Sequence, residues 1–447
     1  MWLSAVRGLV PVRRTLRIGV TGLARSGKTV LLTSLAANLL AAGAGLPALP
    51  AVTARLAGRG FRVAPAPGGA ADLPRFDTTS QLAALARDPP AWPGRTRAVS
   101  MLELDLEIGH AGLLAALPPQ RVRLQILDYP GEWLLDLPLL GLGFGAWSAG
   151  LLRRLEKRQE ATEFLGFMRA IPARPAADDA LARSGHRRYR VLLRSLRDEA
   201  GLSALQPGRF LMPPPGGEPP WMEFFPFAGE GPLADLLRAR YDAYVADVRA
   251  QLMAPAFGQV DRLVVLVDLL SALHAGQAAF ADATAALGEV AEALRWSGPT
   301  LLPDWLAAIL GFGITRVAFA ASKADHVAER QRGNLAALAA AVTRLPMPRG
   351  LATAAFAVAG VRCTEDVVWT LDGHPVSAVR GRVVGAERAG RSWPGEVPDK
   401  PPGPEFWAHP FLALPDFEPM RLPLGGKGGV PNVNLDALLA FLLEDVL

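Results

Sequence analysis

Residues Leu16 to Thr29 read LRIGVTGLARSGKT, and this stretch decides the fold. Its first half is an apolar alternating run that ends in glycine, the pattern of a strand entering a tight turn. Its second half, Gly22 to Thr29, matches G-x-x-x-x-G-K-T. The following run predicts a helix from about Gly27 to Ala42, stopped by Gly43. Strand before and helix after is the context that marks a phosphate-binding loop. In such a loop successive backbone N–H groups cradle an anion, and the helix N-terminus adds positive dipole. Gly22 and Gly27 permit the turn, and Ala24, Ser26 and Val30 belong to the same lining. Lys28 reaches the β- and γ-phosphates, and Thr29 offers a hydroxyl to Mg²⁺. Arg25 has two readings, a phosphate contact or a solvent-facing side chain.

Two further motifs lie outward from this loop. DYPGEW begins at Asp128, at the end of the apolar run LQIL. An acid placed there holds Mg²⁺ through water in P-loop enzymes. Asp128-x-x-Gly131 also resembles the switch segment of GTPases, in which the glycine N–H meets the γ-phosphate. Glu132 stands where many GTPases carry a water-orienting glutamine. SKAD, Ser322 to Asp325, follows the strand-like run ITRVAFAA and resembles the guanine-reading N/T-K-x-D motif, with Ser322 in the place of asparagine. There Asp325 accepts from guanine N1–H and the exocyclic amine, while the Lys323 stem lies along the base. The alternative is an ordinary strand-to-helix turn with Asp325 as a cap. Gly360-Val361-Arg362, after a later strand, is a candidate backbone contact to guanine O6. A second Mg²⁺-binding hydroxyl is expected just before the strand at 99; Thr96 is the best placed, with Thr78, Thr79 and Ser100 competing.

The intervening chain sets the architecture. Strand-like runs fall at 99–108, 121–129, 261–270, 314–322 and 352–359, and helical patterns at about 276–296 and 328–345. Residues 43–95 read as a Gly/Pro/Ala-rich loop with one short helix from Ser80, and 133–256 is mostly helical. Strands alternating with helices around a helical segment give an α/β fold. The expected class is a P-loop NTPase, G-domain-like, with a mostly parallel sheet, a large helical insertion and a C-terminal extension. The expected divisions are 1–132, 133–258, 259–363 and 364–447. In the last of these, 367–384 reads as a hairpin turning at Asp372-Gly373. Residues 393–423 hold nine prolines interleaved with Trp393, Phe406, Trp407, Phe411 and Phe417. That stretch is either a strap docking its aromatics on the core or an extended partner ligand. An amphipathic helix covers 434–447.

Composition excludes several classes. With 447 residues, half of them hydrophobic, the chain is not disordered. A net charge of +5 over this length is a thin field, with no basic stripe for nucleic acid. A single cysteine, Cys363, reads against an intramolecular disulfide framework and against any cysteine-based zinc site, and sits with a reducing compartment. It reads as a small buried residue, since no histidine stands near it in sequence. The six histidines are scattered without metal-ligand spacing. No signal peptide is read. Thr29 to Ala54 is uncharged but carries two glycines and two prolines, so no transmembrane span is assigned. Leu137 to Leu152 is too short for one and reads as buried core or a membrane-touching element.

The wording GLARSGKTVLLTSL, then LDYPGEWLLDLPLL, then ASKADHV resembles the bacterial YcjX-like proteins, a family of P-loop GTPases. The resemblance runs in order over nearly the whole chain. It implies a domain that binds GTP or GDP with Mg²⁺, a link to envelope stress, and a membrane-protein neighbour docking on the helical insertion. The implied setting is cytoplasmic, with peripheral placement at the inner membrane. Carried over residue by residue, its nucleotide positions are Gly22, Gly27, Lys28, Thr29, Asp128, Gly131, Lys323 and Asp325. The expected activity is a GTPase switch in which Thr96 and Gly131 respond to the γ-phosphate. An ATP-using enzyme and a non-hydrolysing nucleotide-bound scaffold stand as alternatives.

Overall fold

The run from Leu16 forms strand β1 (Arg14–Gly22) and the run after Gly27 forms helix α1 (Lys28–Gly43) in the computed structural model. The structure describes residues 14–23, 25–67, 73–94, 99–129, 131, 135–172, 174–203, 205–212, 217–252, 260–295, 314–345, 351–408, 413–422 and 428–447. The described residues fall into two compact units. One draws on 1–130, 259–277 and 313–447, the other on 131–258 and 278–312.

The first unit is built on a seven-stranded sheet of order β2-β3-β4-β1-β5-β6-β7. Its strands are β1, β2 (Phe61–Pro65), β3 (Ser100–Ile108), β4 (Gln120–Asp128), β5 (Arg262–Val267), β6 (Arg316–Ala321) and β7 (Ala352–Ala357). β4, β1, β5, β6 and β7 run parallel, while β2 and β3 are antiparallel to their neighbours. Of the parallel strands, β5 and β6 are near-continuous Val, Leu, Phe and Ala after a leading arginine, as strands buried on both faces must be, while β1 and β4 carry polar residues in alternation over their first halves. β3 alternates as well. Its Glu103, Asp105 and Glu107 face Gln125, Arg123 and Arg121 of β4 in register, so that face carries a polar ladder. The opposite face packs Leu102, Leu104 and Leu106 into a core with α1 and the terminal helix at Leu435–Leu442.

Two elements depart from the sequence expectation. The stretch after α1 is more than a loop: it folds helix α2 (Pro50–Leu56) and edge strand β2 before helix α3 (Thr78–Ala86). Gly43 ends α1, within one residue of the expected stop. It lets β2 approach, since a Cβ there would lie 2.3 Å from the Val63 nitrogen. β5 ends at Val267, because Asp268 caps the short helix α8 (Leu269–Ala275) by accepting from Ser271 N–H.

Helix α10 (Glu329–Thr343) joins β6 to β7. Beyond β7, β8 (Thr364–Leu371) and β9 (His374–Arg382) form the expected hairpin, with β10 (Ala389–Ser392) beside β9. Asp372 and Gly373 at the turn both have positive φ, as a two-residue hairpin requires. The proline-aromatic stretch docks as a strap. Phe417 is buried against Cys363 and Val379, and its carbonyl accepts from the Trp92 indole at 2.8 Å. Leu422 N–H donates to Leu85 O of α3, and Arg421 pairs with Asp88. Phe406 and Trp407 meet edge-on, and Phe411 lies outside the described residues.

The second unit is helical: α4 (Phe144–Leu155), α5 (Thr162–Ala170), α6 (Asp179–Asp198), α7 (Pro232–Leu252) and α9 (Gln277–Arg295). Its centre is aromatic. Trp147 stacks on Tyr241 at 5.2 Å and meets Phe224 edge-on. Leu139, Leu140, Phe144, Trp147 and Leu151 are buried, so the uncharged Leu137–Leu152 run gives one side to the core, while Leu142 is exposed. No described helix is long and apolar enough to cross a membrane.

Asp136, from the LLDLP end of the DYPGEW run, anchors this unit. It accepts from Gly208 N–H at 2.7 Å and from the Tyr244 hydroxyl at 2.5 Å. Burial pushes its pKa up to about 6, against the pull of Tyr244 and Arg209. A carboxyl whose folded pKa is raised binds more protons in the folded state between 3.8 and about 6. Its contribution is therefore fully present below that window and lost as pH rises through it. Asp136→Asn should abolish this slope. Urea unfolding of both proteins across the window checks it, and parallel pH profiles would refute it.

Candidate functional site

The register of the parallel strands collects five loops at one sheet edge. Asp128 pairs with Val20, Gly22 with Leu266, and Ala321 lies between Val267 and Ala357. The loops after β1, β4, β5, β6 and β7 therefore leave from the same carboxyl edge, where open α/β sheets bind their ligands.

The phosphate end is shaped by close approach. A Cβ on Gly22 would lie 2.3 Å from Leu266 O and 2.8 Å from Ser26 Oγ, so only hydrogen fits. Arg25 and Gly27 both take left-handed φ, turning backbone amides inward. Gly27 caps α1 without a side-chain bond, and no acid sits in the first turn. The dipole of this helix end favours an anion. Lys28 opens the helix with its ammonium folded back onto Gly22 O at 3.1 Å. Ser26 is 1% exposed, and among the described residues neither its hydroxyl nor that of Thr21 has a hydrogen-bond partner. Buried hydroxyls left this way need a ligand or water. Arg25 is exposed, Thr29 and Val30 are half-buried, and Ala24 lies outside the described residues.

Asp128 is the last residue of β4, buried, with Ser100 of β3 directly opposite. The Ser100 hydroxyl is buried without a hydrogen-bond partner. Thr29 and Asp128 supply hard oxygen ligands, the donor set that suits Mg²⁺. Phosphate and Mg²⁺ both fit the residues present: a cradle that a Cβ would fill, orphaned hydroxyls and an oxygen donor pair. Gly131 is buried, while Thr96 and Glu132 lie outside the described residues. Of the hydroxyls weighed against Thr96, Ser100 faces Asp128, whereas Thr78 and Thr79 open α3, capped by Asp77.

The third loop, Ser322–Asp325, is held from three sides. Ser322 N–H donates to Val267 O at 2.9 Å. Lys323 takes a left-handed φ of 58°, and its ammonium meets Asp268 Oδ2 at 2.6 Å and Ser271 Oγ at 3.1 Å. Burial pulls the Lys323 pKa down, but the Asp268 carboxylate outweighs it and holds the ammonium above its ordinary value. Asp325 is 2% exposed, and its Oδ2 accepts from both Cys363 N–H and Cys363 S–H at 2.8 Å. The Thr364 hydroxyl donates to Asp325 O. Oδ1 makes no hydrogen bond among the described residues.

The neighbouring loop, Gly360–Arg362, is engaged by its own surroundings. Gly360 packs on the first turn of α1, where a Cβ would lie 2.9 Å from Leu31 Cα. Val361 is buried with Leu85 and Val430. Arg362 N–H is committed to Pro431 O, and its guanidinium to Thr364 O and Asp366. The residue of this loop that meets Asp325 is Cys363. The sequence shows Cys363 only as a small buried residue and His326 only as one of six scattered histidines, and it does not single out Asp268. Asp268 nonetheless left a signal: an acid ends the run RLVVLVD, just as Asp128 ends LQILD.

A family model described as "YcjX-like family, DUF463" matches residues 16–447. A protein of Escherichia coli (strain K12) named "Ras-like GTPase YcjX" is 33% identical over 461 residues, covering 98% of this chain and 97% of its own. One of Shewanella oneidensis with the same name is 30% identical over 468 residues, covering 97% and 95%.

Proposed function

The chain belongs to the YcjX-like family, and on that footing we propose that it is a GTPase whose Mg²⁺·GTP state and GDP state are read by a partner. The observation that carries this reading is one sheet edge presenting Gly22–Thr29, Asp128 and Ser322–Asp325 together. The names of the two relatives support it.

Bound Mg²⁺ would neutralise phosphate charge, held by Thr29 and Asp128. The amides of the β1–α1 loop and Lys28 bind and orient the phosphates, so catalysis is chiefly positioning and electrostatics. Asp325 reads the base, and Cys363 steadies its carboxylate. Lys323, tethered to Asp268, holds the loop in its left-handed turn. Gly131, with Thr96 and Glu132, forms the responsive segment around the γ-phosphate. The envelope-stress setting and the membrane-protein partner rest on the family resemblance alone. The helical unit is the proposed partner surface.

The test is competitive binding of GDP, xanthosine diphosphate and ADP to wild type and Asp325→Asn. Asparagine presents an N–H where guanine also presents one, whereas xanthine offers a carbonyl there. The variant should lose at least ~100-fold in GDP affinity, the scale of an unmatched polar contact in a buried site. It should gain relative affinity for the xanthine nucleotide. Wild type binding ADP as tightly as GDP would make this an adenine-nucleotide enzyme. GDP binding without turnover would leave a scaffold.

A further inference from the structure

We propose that Asp325, His326 and Cys363 form a zinc site beneath the base loop. Their ligand atoms all lie within 4.8 Å of one another, and all three residues are buried. The sequence separates Cys363 from His326 by 37 positions, so only the fold brings them together.

The argument begins with His326, which is 6% exposed. Among the described residues its Nδ1 has no hydrogen-bond partner, and its Nε2 has only the Cys363 sulfur, 3.9 Å away. That separation is too long to satisfy a buried ring nitrogen, and such a group calls for an unseen water or ion. Packing of the ring edge-on to Phe417, at 5.2 Å, explains its place and not its polarity.

The donor set points to the metal. One thiol, one imidazole and one carboxylate suit zinc, a borderline-soft ion that takes sulfur, nitrogen and oxygen in tetrahedral array. Tetrahedral zinc sets its ligand atoms roughly 3.3–3.7 Å apart. The sulfur lies 3.9 Å from Nε2 and 2.8 Å from Asp325 Oδ2, so modest side-chain adjustments bring both into range. On binding, the thiol proton leaves to water, and the S–H bond to Oδ2 is replaced by a sulfur–zinc bond. Oδ1 stays outside the site. The inference therefore does not need Asp325 to read guanine, and the two are tested apart.

Zn²⁺ alone, titrated into nucleotide-free protein against a chromophoric chelator, should bind at one equivalent per chain. Co²⁺ in its place should give a thiolate-to-metal charge-transfer band. Cys363→Ser keeps a hydroxyl to donate to Asp325 but lacks the sulfur. It should lose that band and bind Zn²⁺ at least ~100-fold more weakly, since even an outer-shell partner of a zinc ligand is worth 10–100-fold. His326→Gln should weaken binding likewise. If that variant fails to fold by circular dichroism, Cys363→Ser and the cobalt band decide the matter. Folded wild type that takes up no zinc, or Cys363→Ser with unchanged affinity, overturns the site. Zinc uptake intact beside absent guanine preference would sink the base-reading role and leave the metal site standing.

Discussion

Lys28→Ala should bring nucleotide binding below measurable levels while the apo protein unfolds at the same temperature as wild type. Lys28 is the first residue of α1, and its ammonium contacts Gly22 O, a carbonyl of its own loop. Alanine is the best helix former, so the helix start tolerates the change. What is lost is a cation facing two phosphates. Each charge-assisted hydrogen bond is worth about 1.5–3 kcal/mol. Two of them correspond to roughly 10²–10⁴-fold in Kd. A fluorescent GDP analogue reads the affinity directly. Thermal unfolding gives a second readout, because GDP should raise the wild-type midpoint by mass action and leave the variant unmoved. A variant that still binds GDP within a few-fold of wild type would place the phosphates somewhere other than the Gly22–Thr29 loop.

The largest loss of stability should come from the other end of the sheet. Arg262 opens β5 with its side chain 2% exposed. Its guanidinium meets both Asp445 oxygens, at 2.6 and 2.7 Å, and also reaches Leu442 O and Asp261 O. Asp445→Ala leaves that cation buried beside neutral acceptors only. Breaking a buried pair from one side costs about 3–5 kcal/mol, and the partial exposure of Asp445 moves the expectation toward the lower figure. Arg14→Ala removes the outer partner of the same carboxylate, and at an exposed site should cost under ~1 kcal/mol. Burial works against ionisation of Asp445, but the Arg262 hydrogen bonds and charge prevail and hold its pKa below the ordinary value. A lowered carboxyl stabilises above its unfolded pKa and loses that contribution as pH falls through its folded one. The sign is opposite to that of Asp136. Denaturant unfolding near neutral pH separates the two variants; equal losses would mean that the pair with Arg262 carries no special weight.

The phosphate loop, Asp128 and the SKAD run were legible because each is a short string with its own strand beside it. Local periodicity sufficed to place them on one edge once the sheet was taken as parallel. β2 was not legible. Phe61–Pro65 is five residues in a Gly/Pro/Ala-rich stretch, and its pairing depends on Gly43, eighteen positions earlier. The end of β5 was misread because Leu269 and Leu270 continue the apolar run, and only the cap made by Asp268 turns them into helix. Cys363 gave no sign, since its meaning lies in Asp325 and His326 across the fold. No local signal sets α9 apart either, although it groups with the helices of the second unit.

The core shared by α1 and the Leu435–Leu442 helix has a consequence for synthesis. Asn38 bonds to Val430 O, and Arg14 to Asp445, across 392 and 431 positions of chain. At about 5–20 residues per second of translation, β1 and α1 wait on the order of 20–80 s before the last members of their core emerge. Throughout that interval the core that holds Leu31, Leu35 and Leu39 lacks its share from Leu435, Leu438, Leu439 and Leu442. The first strand and helix of this chain are thus the first made and among the last secured, and nascent chains depend on whatever shields that apolar face on the ribosome.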